Sequence, residues 1–229
     1  MKKQRIDGQE TRLRLLESAG MVFAEKGFWE TTNADICKEA QVNTASVNYH
    51  FGSKEELYVA AWKYAFDKSL AEHPPDGGIP PEASPEERLQ GRIRSFVQRI
   101  ADPDTYEIEI MHKEMACPTG LLHKVLLSSL KILHEGFESI IAELLGESAS
   151  RQQILLCHIN IVDMCFGFVH HFHRSKTQKD NKSIFSDLSK IEVEDFIEHV
   201  FRFCIAGIKS IRKENKNNST FSKNNSKKR

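Results

Sequence analysis

The sequence predicts an all-α protein made of an N-terminal three-helix domain and a larger helical domain. Apolar residues recur at intervals of three and four along most of the chain, which is the period of an amphipathic helix. No run alternates between apolar and polar residues for long enough to form a sheet. Residues 73–84 are rich in proline and glycine, which interrupt helices, and separate the two parts. A chain of 229 residues is long enough for two domains.

Residues 32–57 have the pattern of two short helices joined by a tight turn. Ile36 and Ala40 lie four residues apart on the first helix, as Val47 and Phe51 do on the second. This spacing packs the helices at a steep angle and leaves the outer face of the second helix free. That face carries small or hydrogen-bonding side chains: Thr44, Ala45, Ser46, Asn48, Tyr49 and His50. Because such a helix fits the major groove, the pattern predicts a helix-turn-helix that recognises DNA.

The segments on either side of this motif support the same interpretation. The preceding helix has an apolar stripe that consists of Leu16, Ala19, Gly20 and Phe23. Gly27 follows this helix as a natural C-terminal cap. After the motif, Ser53 and Glu56 form the capping box of a further helix.

Together these positions resemble the DNA-binding domain of the TetR family of bacterial regulators. The resemblance covers the first quarter of the chain and rests on Leu16, Ala19, Phe23, Gly27, Phe28, Thr31, Thr32, Asp35, Ile36, Val42, Asn43, residues 47–51 and residues 54–57. It implies that phosphates are met by Thr32, Tyr49, His50 and Lys54, and that base edges are read by Thr44, Ala45 and Asn48. One position departs from the family pattern, because Gln41 stands where glycine is usual. A left-handed conformation at Gln41 is expected to cost about 1 kcal/mol relative to glycine.

The net charge is zero, but the charges are unevenly distributed. Residues 1–54 hold 8 basic and 7 acidic residues, residues 55–208 hold 16 and 24, and residues 209–229 hold 8 and 1. The five cysteines form no CxxC pair, so reduced thiols are expected. Neither a secretory signal nor an apolar membrane span is apparent, so we expect a cytoplasmic protein with no membrane partner.

The predicted organisation is a DNA-binding domain over residues 1–53, a helical ligand-binding and dimerisation domain over residues 54–211, and a basic disordered tail over residues 212–229. The helix from Lys54 is expected to couple the first two domains. An effector that binds one arrangement better than another would then shift the population of DNA-binding states.

The last two predicted helices are apolar on two faces, so each needs a second partner beside its own core. A homodimer supplies that partner, as the family resemblance also implies. The residues expected at the interface are Ile159, Val162, Phe166, Val169, Phe196, Val200 and Phe203. A symmetric dimer places its two recognition helices about 34 to 36 Å apart and predicts a palindromic DNA operator.

Met and aromatic residues of the second domain suit a small lipophilic effector. The expected pocket residues are Phe96, Ile100, Tyr106, Met111, Met115, Phe137, Ile161, Met164 and Phe168, for which ordinary core packing is the alternative. The segment 113–119 and the long helix after it also resemble the C-terminal domain of the CecR-like subgroup, which implies a drug-tolerance or efflux regulator.

Three alternatives to an effector-released repressor follow from the residues. A dimeric ligand-binding protein without DNA binding is suggested by Gln41 and by the near-neutral N-terminal segment. A metal- or redox-responsive regulator is suggested by the cysteines and by His170 and His173, although no metal or cofactor is expected. A hydrolase or transferase finds no support, because no catalytic motif is present.

Overall fold

The computed structural model describes residues 2–177 and 190–226, and within them it contains nine helices and no strand. The helices are α1 (Lys2–Lys26), α2 (Asn33–Glu39), α3 (Ala45–Phe51), α4 (Lys54–Glu72), α5 (Pro85–Ala101), α6 (Glu107–Ala116), α7 (His123–Leu145), α8 (Arg151–Thr177) and α9 (Val193–Ser226). The all-α prediction is confirmed. Side chains are described for residues 8–167 and 190–217.

The helices form two compact units. The first unit contains residues 1–72 and 102–129, and the second contains residues 73–101 and 130–229. Helix α4 therefore belongs wholly to the first unit. The functional boundaries expected after residues 53 and 211 remain a prediction.

The core of the first unit is built on the apolar stripe of α1. Leu16, Ala19 and Phe23 are buried, as the helical period predicts. The ring of Phe23 meets the edge of Tyr58 on α4, with the ring centres 4.7 Å apart. Aromatic pairs in this edge-to-face geometry stabilise a fold by more than the burial of their apolar area alone accounts for. Helix α1 is thereby fixed against α4.

A buried carboxylate organises the turn after α6. Glu114 Oε1 accepts hydrogen bonds from the amides of Thr119 and Gly120, both at 3.0 Å. Its other oxygen accepts one from the Tyr58 hydroxyl at 3.1 Å. Because a buried carboxylate needs such donors, Glu114 links α6, the turn and α4.

The second unit packs α5, α7, α8 and α9 around an apolar core. Helix α5 begins at a capping box in which the Glu87 amide donates to Ser84 Oγ at 3.3 Å, and the Ser84 amide donates to Glu87 Oε2 at 2.9 Å. The loop before α5 lies directly against it at Gly77 and Gly91. A side chain at either glycine would overlap backbone atoms of the facing segment.

Helix α9 continues to Ser226, so the prediction of a disordered tail is wrong for the backbone of residues 212–226. Extending a helix that is already packed needs no new nucleus, because each added residue gains a hydrogen bond. The extension is also held by side chains. Gln153 on α8 and Asn215 exchange two amide hydrogen bonds of 2.9 and 3.2 Å.

The turn between α2 and α3 requires a left-handed residue, and Gln41 takes that position with φ = 53°. The Val42 amide donates to the Cys37 carbonyl at 3.0 Å, and the Gln41 amide donates to the Lys38 carbonyl at 3.2 Å. These two bonds form a Schellman motif, whose left-handed position is usually glycine. The structure therefore contains the left-handed conformation that the sequence analysis considered at Gln41, and its energetic cost stays a prediction.

We predict that Gln41→Gly raises the free energy of unfolding by up to about 1 kcal/mol, because glycine adopts the left-handed region without steric cost. Urea denaturation measures the change. Gln41→Ala is the matched control, since alanine removes the same side chain but keeps the strain. A glycine variant no more stable than the alanine variant would contradict the prediction.

Candidate nucleic-acid interface

The apolar sides of α2 and α3 are buried, as the sequence predicts. Ile36 and Val47 are fully buried, and Ala40 is nearly so. The opposite side of α3 faces solvent. The orientation of α3 is fixed by the packing of its buried side, and the polar side chains of its outer side remain accessible to solvent.

The start of α2 is held by a capping box between Thr32 and Asp35. The Asp35 amide donates to Thr32 Oγ1 at 3.2 Å, and the Thr32 amide donates to Asp35 Oδ2 at 2.9 Å. The Thr32 hydroxyl also donates to Asp35, and this hydrogen bond is the main reason why the pKa of Asp35 lies well below its usual value. Thr32 is exposed, as a phosphate contact requires.

The start of α3 is capped by Asn43 instead of Thr44. Asn43 Oδ1 accepts a hydrogen bond from the Ala45 amide at 2.8 Å. Thr44 makes no capping hydrogen bond and is exposed. Sequence reasoning did not assign a role to Asn43, although an Asn side chain that bonds an amide two residues later is a known turn signal.

The outer face of α3 presents Ala45, Asn48 and Tyr49 to solvent. Tyr49 is 85% exposed, and its ring meets the edge of His50 with centres 4.8 Å apart. His50 is only partly exposed. The structure therefore brings the three predicted base-reading residues, Thr44, Ala45 and Asn48, to one accessible stretch beside Tyr49.

Lys54 has structural partners that the sequence did not reveal. Its ammonium group donates to the carbonyls of Phe28 at 3.0 Å and Thr31 at 2.9 Å. It also lies 4.1 Å from the centre of the Phe28 ring. These contacts hold the ammonium against the loop before α2. A phosphate contact of the partly exposed Lys54 stays a prediction.

The nine predicted effector residues are divided between the two units. Tyr106, Met111 and Met115 belong to the first unit, and the other six belong to the second. Met115 is 72% exposed, so its assignment to a pocket is wrong. Tyr106 lines a cavity of about 20 Å³, which is too small for an effector.

Within the second unit, Ile100 and Ile161 are buried in the core. The Phe168 side chain lies outside the described residues.

Aromatic residues form a cluster between α5, α7 and α8. The ring of Phe96 meets Phe137 and Phe166 edge-on, with centres 6.3 and 5.2 Å apart. The Phe137 ring stacks on the imidazole of His158 at 5.8 Å. The predicted effector residues Phe96 and Phe137 therefore share one apolar environment, to which Phe166 also belongs.

His158 is a buried member of a small polar network on α7 and α8. Its Nε2 lies 3.2 Å from His134 Nδ1, and its Nδ1 lies 3.6 Å from Glu138 Oε1. Arg151 donates to the other Glu138 oxygen at 2.6 Å. Burial is the main cause that lowers the pKa of His158, and the His134 charge adds to it. The fold therefore favours neutral His158.

The predicted dimer residues differ widely in how far they are exposed. Val200 is fully buried within its own unit, so its assignment to the interface is wrong. Ile159 is 51% exposed and Phe203 is 62% exposed, whereas Val162, Phe166 and Phe196 are partly buried. The Val169 side chain lies outside the described residues.

Leu155 and Leu156 extend this exposed apolar face, and a groove of about 420 Å³ that Met164 and Cys204 help to line runs between α8 and α9.

The thiols of the second unit are poorly suited to metal or redox chemistry. Burial raises the pKa of Cys204 to about 11 and raises the pKa of Cys157 and Cys165. It therefore opposes the thiolate form that binds metals. No group of three potential metal ligands occurs among the described residues. The side chains of His170 and His173 lie outside them.

None of the helices in the described part of the chain is both long and apolar enough to span a bilayer.

Comparisons with known proteins give the family. Residues 15–61 match the family model "Bacterial regulatory proteins, tetR family", and residues 85–208 match "HTH-type transcriptional dual regulator CecR, C-terminal domain". The HTH-type transcriptional dual regulator CecR of Shigella flexneri is 26% identical over 161 residues, which cover 66% of this chain and 72% of CecR.

IcaR, the negative transcriptional regulator of the biofilm operon icaADBC in Staphylococcus aureus strain Newman, is 39% identical over 54 residues, or 24% of this chain and 29% of IcaR. The crystal structure of AibR in complex with isovaleryl coenzyme A and operator DNA has a similar fold. Its TM-score is 0.61 at 18% identity, over 83% of this chain and 96% of that chain.

The fold, the helix-turn-helix and these matches define a DNA-binding transcriptional regulator, and not an enzyme. The chain belongs to the TetR family of bacterial regulators and has a C-terminal domain of the CecR type.

We predict that His158 makes stability depend on pH. The pKa of His158 is lowered in the folded state. The contribution of neutral His158 to the free energy of unfolding is therefore complete above the pKa of the unfolded state, which is about 6.5. The contribution is lost as the pH falls from there through the folded value. His158→Gln should therefore reduce the loss of unfolding free energy between pH 7.5 and pH 5.5.

Urea denaturation at the two pH values measures this difference. His123→Gln is the control, because His123 is exposed and its loss should leave the wild-type pH dependence. An unchanged pH dependence in His158→Gln would refute the assignment.

Proposed function

We propose that the protein is a cytoplasmic repressor that binds a palindromic operator as a homodimer and is released by a small lipophilic effector. The observation that carries this proposal is the exposed stretch of Thr44, Ala45, Asn48 and Tyr49 on α3, a helix whose other side is fixed by buried Val47. Side chains on such a helix reach base edges in the major groove.

In this proposal Asn48 and Thr44 read bases by hydrogen bonds, and Ala45 allows close approach. Tyr49, His50 and Thr32 contact phosphates and set the register of the helix. The Thr32 hydroxyl already accepts a hydrogen bond from the Asp35 amide and donates its proton to the Asp35 carboxylate. A phosphate contact at Thr32 therefore uses the exposed backbone at the start of α2, or it requires the hydroxyl to rotate away from Asp35.

Dimerisation is supported by the apolar face of α8 and α9. Leu156, Ile159 and Phe203 are each more than half exposed. An apolar face of this kind is covered when two copies of the chain pair about a twofold axis. A dimer with this twofold axis fits an operator of the same symmetry, which is a palindrome.

Repression and effector binding are supported by the relatives, whereas release from DNA by the effector is the proposal's own step. IcaR is a negative regulator, and AibR has been crystallised with both an acyl coenzyme A and operator DNA. In this chain the aromatic cluster around Phe96 and Phe137 offers the apolar environment that a lipophilic effector needs.

DNA recognition is tested by fluorescence anisotropy with fragments from upstream of the protein's own gene. We expect selective binding that weakens steeply between 50 and 200 mM salt. Asn48→Ala should weaken binding by about 1–3 kcal/mol and relax specificity, because Asn48 loses its base contact.

Asn217→Ala is the matched control, since it removes an exposed Asn on α9 and should leave affinity unchanged. An absence of selective binding at low salt would favour a dimeric ligand-binding protein without DNA binding.

The dimer is tested by sedimentation of the double variant Ile159→Glu, Phe203→Glu. Charges on the apolar face should produce monomers and weaken operator binding by at least about 100-fold, because the two halves of the operator are no longer bound together. Ile132→Glu is the control, because Ile132 is an exposed apolar residue on α7, outside the proposed interface. If the double variant sediments as the wild-type dimer does, the interface lies elsewhere.

A further inference from the structure

Helix α5 carries four arginines in the second unit, and no hydrogen bond or ion pair within the described part of the chain involves Arg92. Arg88 pairs with Glu143, and Arg94 pairs with Glu194. The guanidinium of Arg92 forms neither a hydrogen bond nor an ion pair with any residue that the structure describes. Arg92 is nevertheless half-buried.

A glycine on α7 makes room for this guanidinium. A Cβ atom at Gly136 would overlap the guanidinium group of Arg92. The same group lies 5.8 Å from the ring centre of Phe137, within range of a cation–π contact. The position of the Arg92 charge is therefore set by the absence of a side chain at residue 136.

The surroundings that the structure describes balance the charge of Arg92 only in part. Burial lowers its pKa, which means that the charged form has lost part of its hydration. The carboxylate of Asp76 acts in the opposite direction, but Asp76 accepts a hydrogen bond from the Gly78 amide at 2.9 Å and forms no ion pair with Arg92. A partly desolvated cation without a partner is costly unless an anion joins it.

The aromatic cluster lies directly beside this cation. Phe137, which contacts Arg92, also contacts Phe96, and Phe96 is itself only partly buried. A guanidinium matches the planar, two-pronged geometry of a carboxylate and also binds sulfonates and phosphates. Rings next to it suit the apolar part of the same molecule.

We propose that Arg92 is the anion-binding residue of the effector site, and that the effector is an amphipathic organic anion whose apolar part contacts Phe96 and Phe137. This inference rests on the proposed effector-responsive function and names the chemical class of its ligand.

Two fluorescent probes test the charge requirement on the full-length protein. 8-Anilinonaphthalene-1-sulfonate carries an aromatic body and a sulfonate, and N-phenyl-1-naphthylamine has the same aromatic body without the charge. Arg92→Gln should weaken binding of the sulfonate by about 10-fold or more, because a charge-assisted hydrogen bond is lost. Binding of the uncharged amine should stay within about twofold of wild type.

Arg94→Gln is the matched control, because it removes an arginine from the same helix whose charge is already paired with Glu194. It should leave the affinity for both probes unchanged.

A second variant tests the position of the charge without removing it. Gly136→Ala should displace the Arg92 guanidinium and weaken sulfonate binding in the same way, while alanine supports the helix better than glycine does. Circular dichroism checks that each variant is folded. Equal affinity for the sulfonate in wild type, Arg92→Gln and Gly136→Ala would overturn the proposal, and so would an equal loss of both probes.

Operator binding separates this inference from the proposed function. Without probe, Arg92→Gln and Gly136→Ala should bind the operator with the same affinity as wild type. A low concentration of the sulfonate probe should release wild-type protein from the operator but neither variant. If wild type binds no operator, the proposed function fails while the two probes still decide whether Arg92 binds anions. If wild type binds the operator but the variants keep full sulfonate affinity, only the anion site is refuted.

Discussion

The proposed DNA-binding surface depends on the packing of two very short helices. Helices α2 and α3 have seven residues each, which is too few for a stable isolated helix in water. Burial of Ile36 and Val47 supplies the stability that helix propensity alone does not give to α2 and α3. The capping hydrogen bonds at Thr32 and Asn43 add to it. The same burial decides which side of α3 faces outward, so recognition and folding rest on the same contacts.

The local features of this architecture could be predicted from the sequence because their causes lie within a few residues. The stripe of α1, the capping box at Ser84 and the left-handed strain at Gln41 all arise from neighbours in the chain. The role of Lys54 could not be found in this way. Its carbonyl partners, Phe28 and Thr31, lie 26 and 23 residues earlier, and only the folded chain brings them together.

The second unit shows why a two-sided apolar helix is difficult to assign from sequence. Val200 and Phe203 are three residues apart on α9, yet Val200 is fully buried and Phe203 is 62% exposed. The helical period separates two apolar stripes but does not say which one faces the core. The predicted effector residues are divided for a related reason, since Tyr106 and Phe96 are near in sequence but belong to different units. Helix α9 continued beyond Ile211 because Asn215 found a partner in Gln153, a pairing that composition does not reveal.

The contacts of Lys54 have a mechanical consequence for the first unit. The ammonium group joins the first turn of α4 to both ends of the short loop before α2, in addition to the packing of Tyr58 against Phe23. A tilt of α4 is therefore expected to move the start of α2 with it, because the Lys54 hydrogen bonds connect the two elements directly. We therefore expect the helix-turn-helix to move together with α4. In the proposed function, a small rotation of α4 would change the angle at which α3 enters a groove without breaking contacts within the helix-turn-helix.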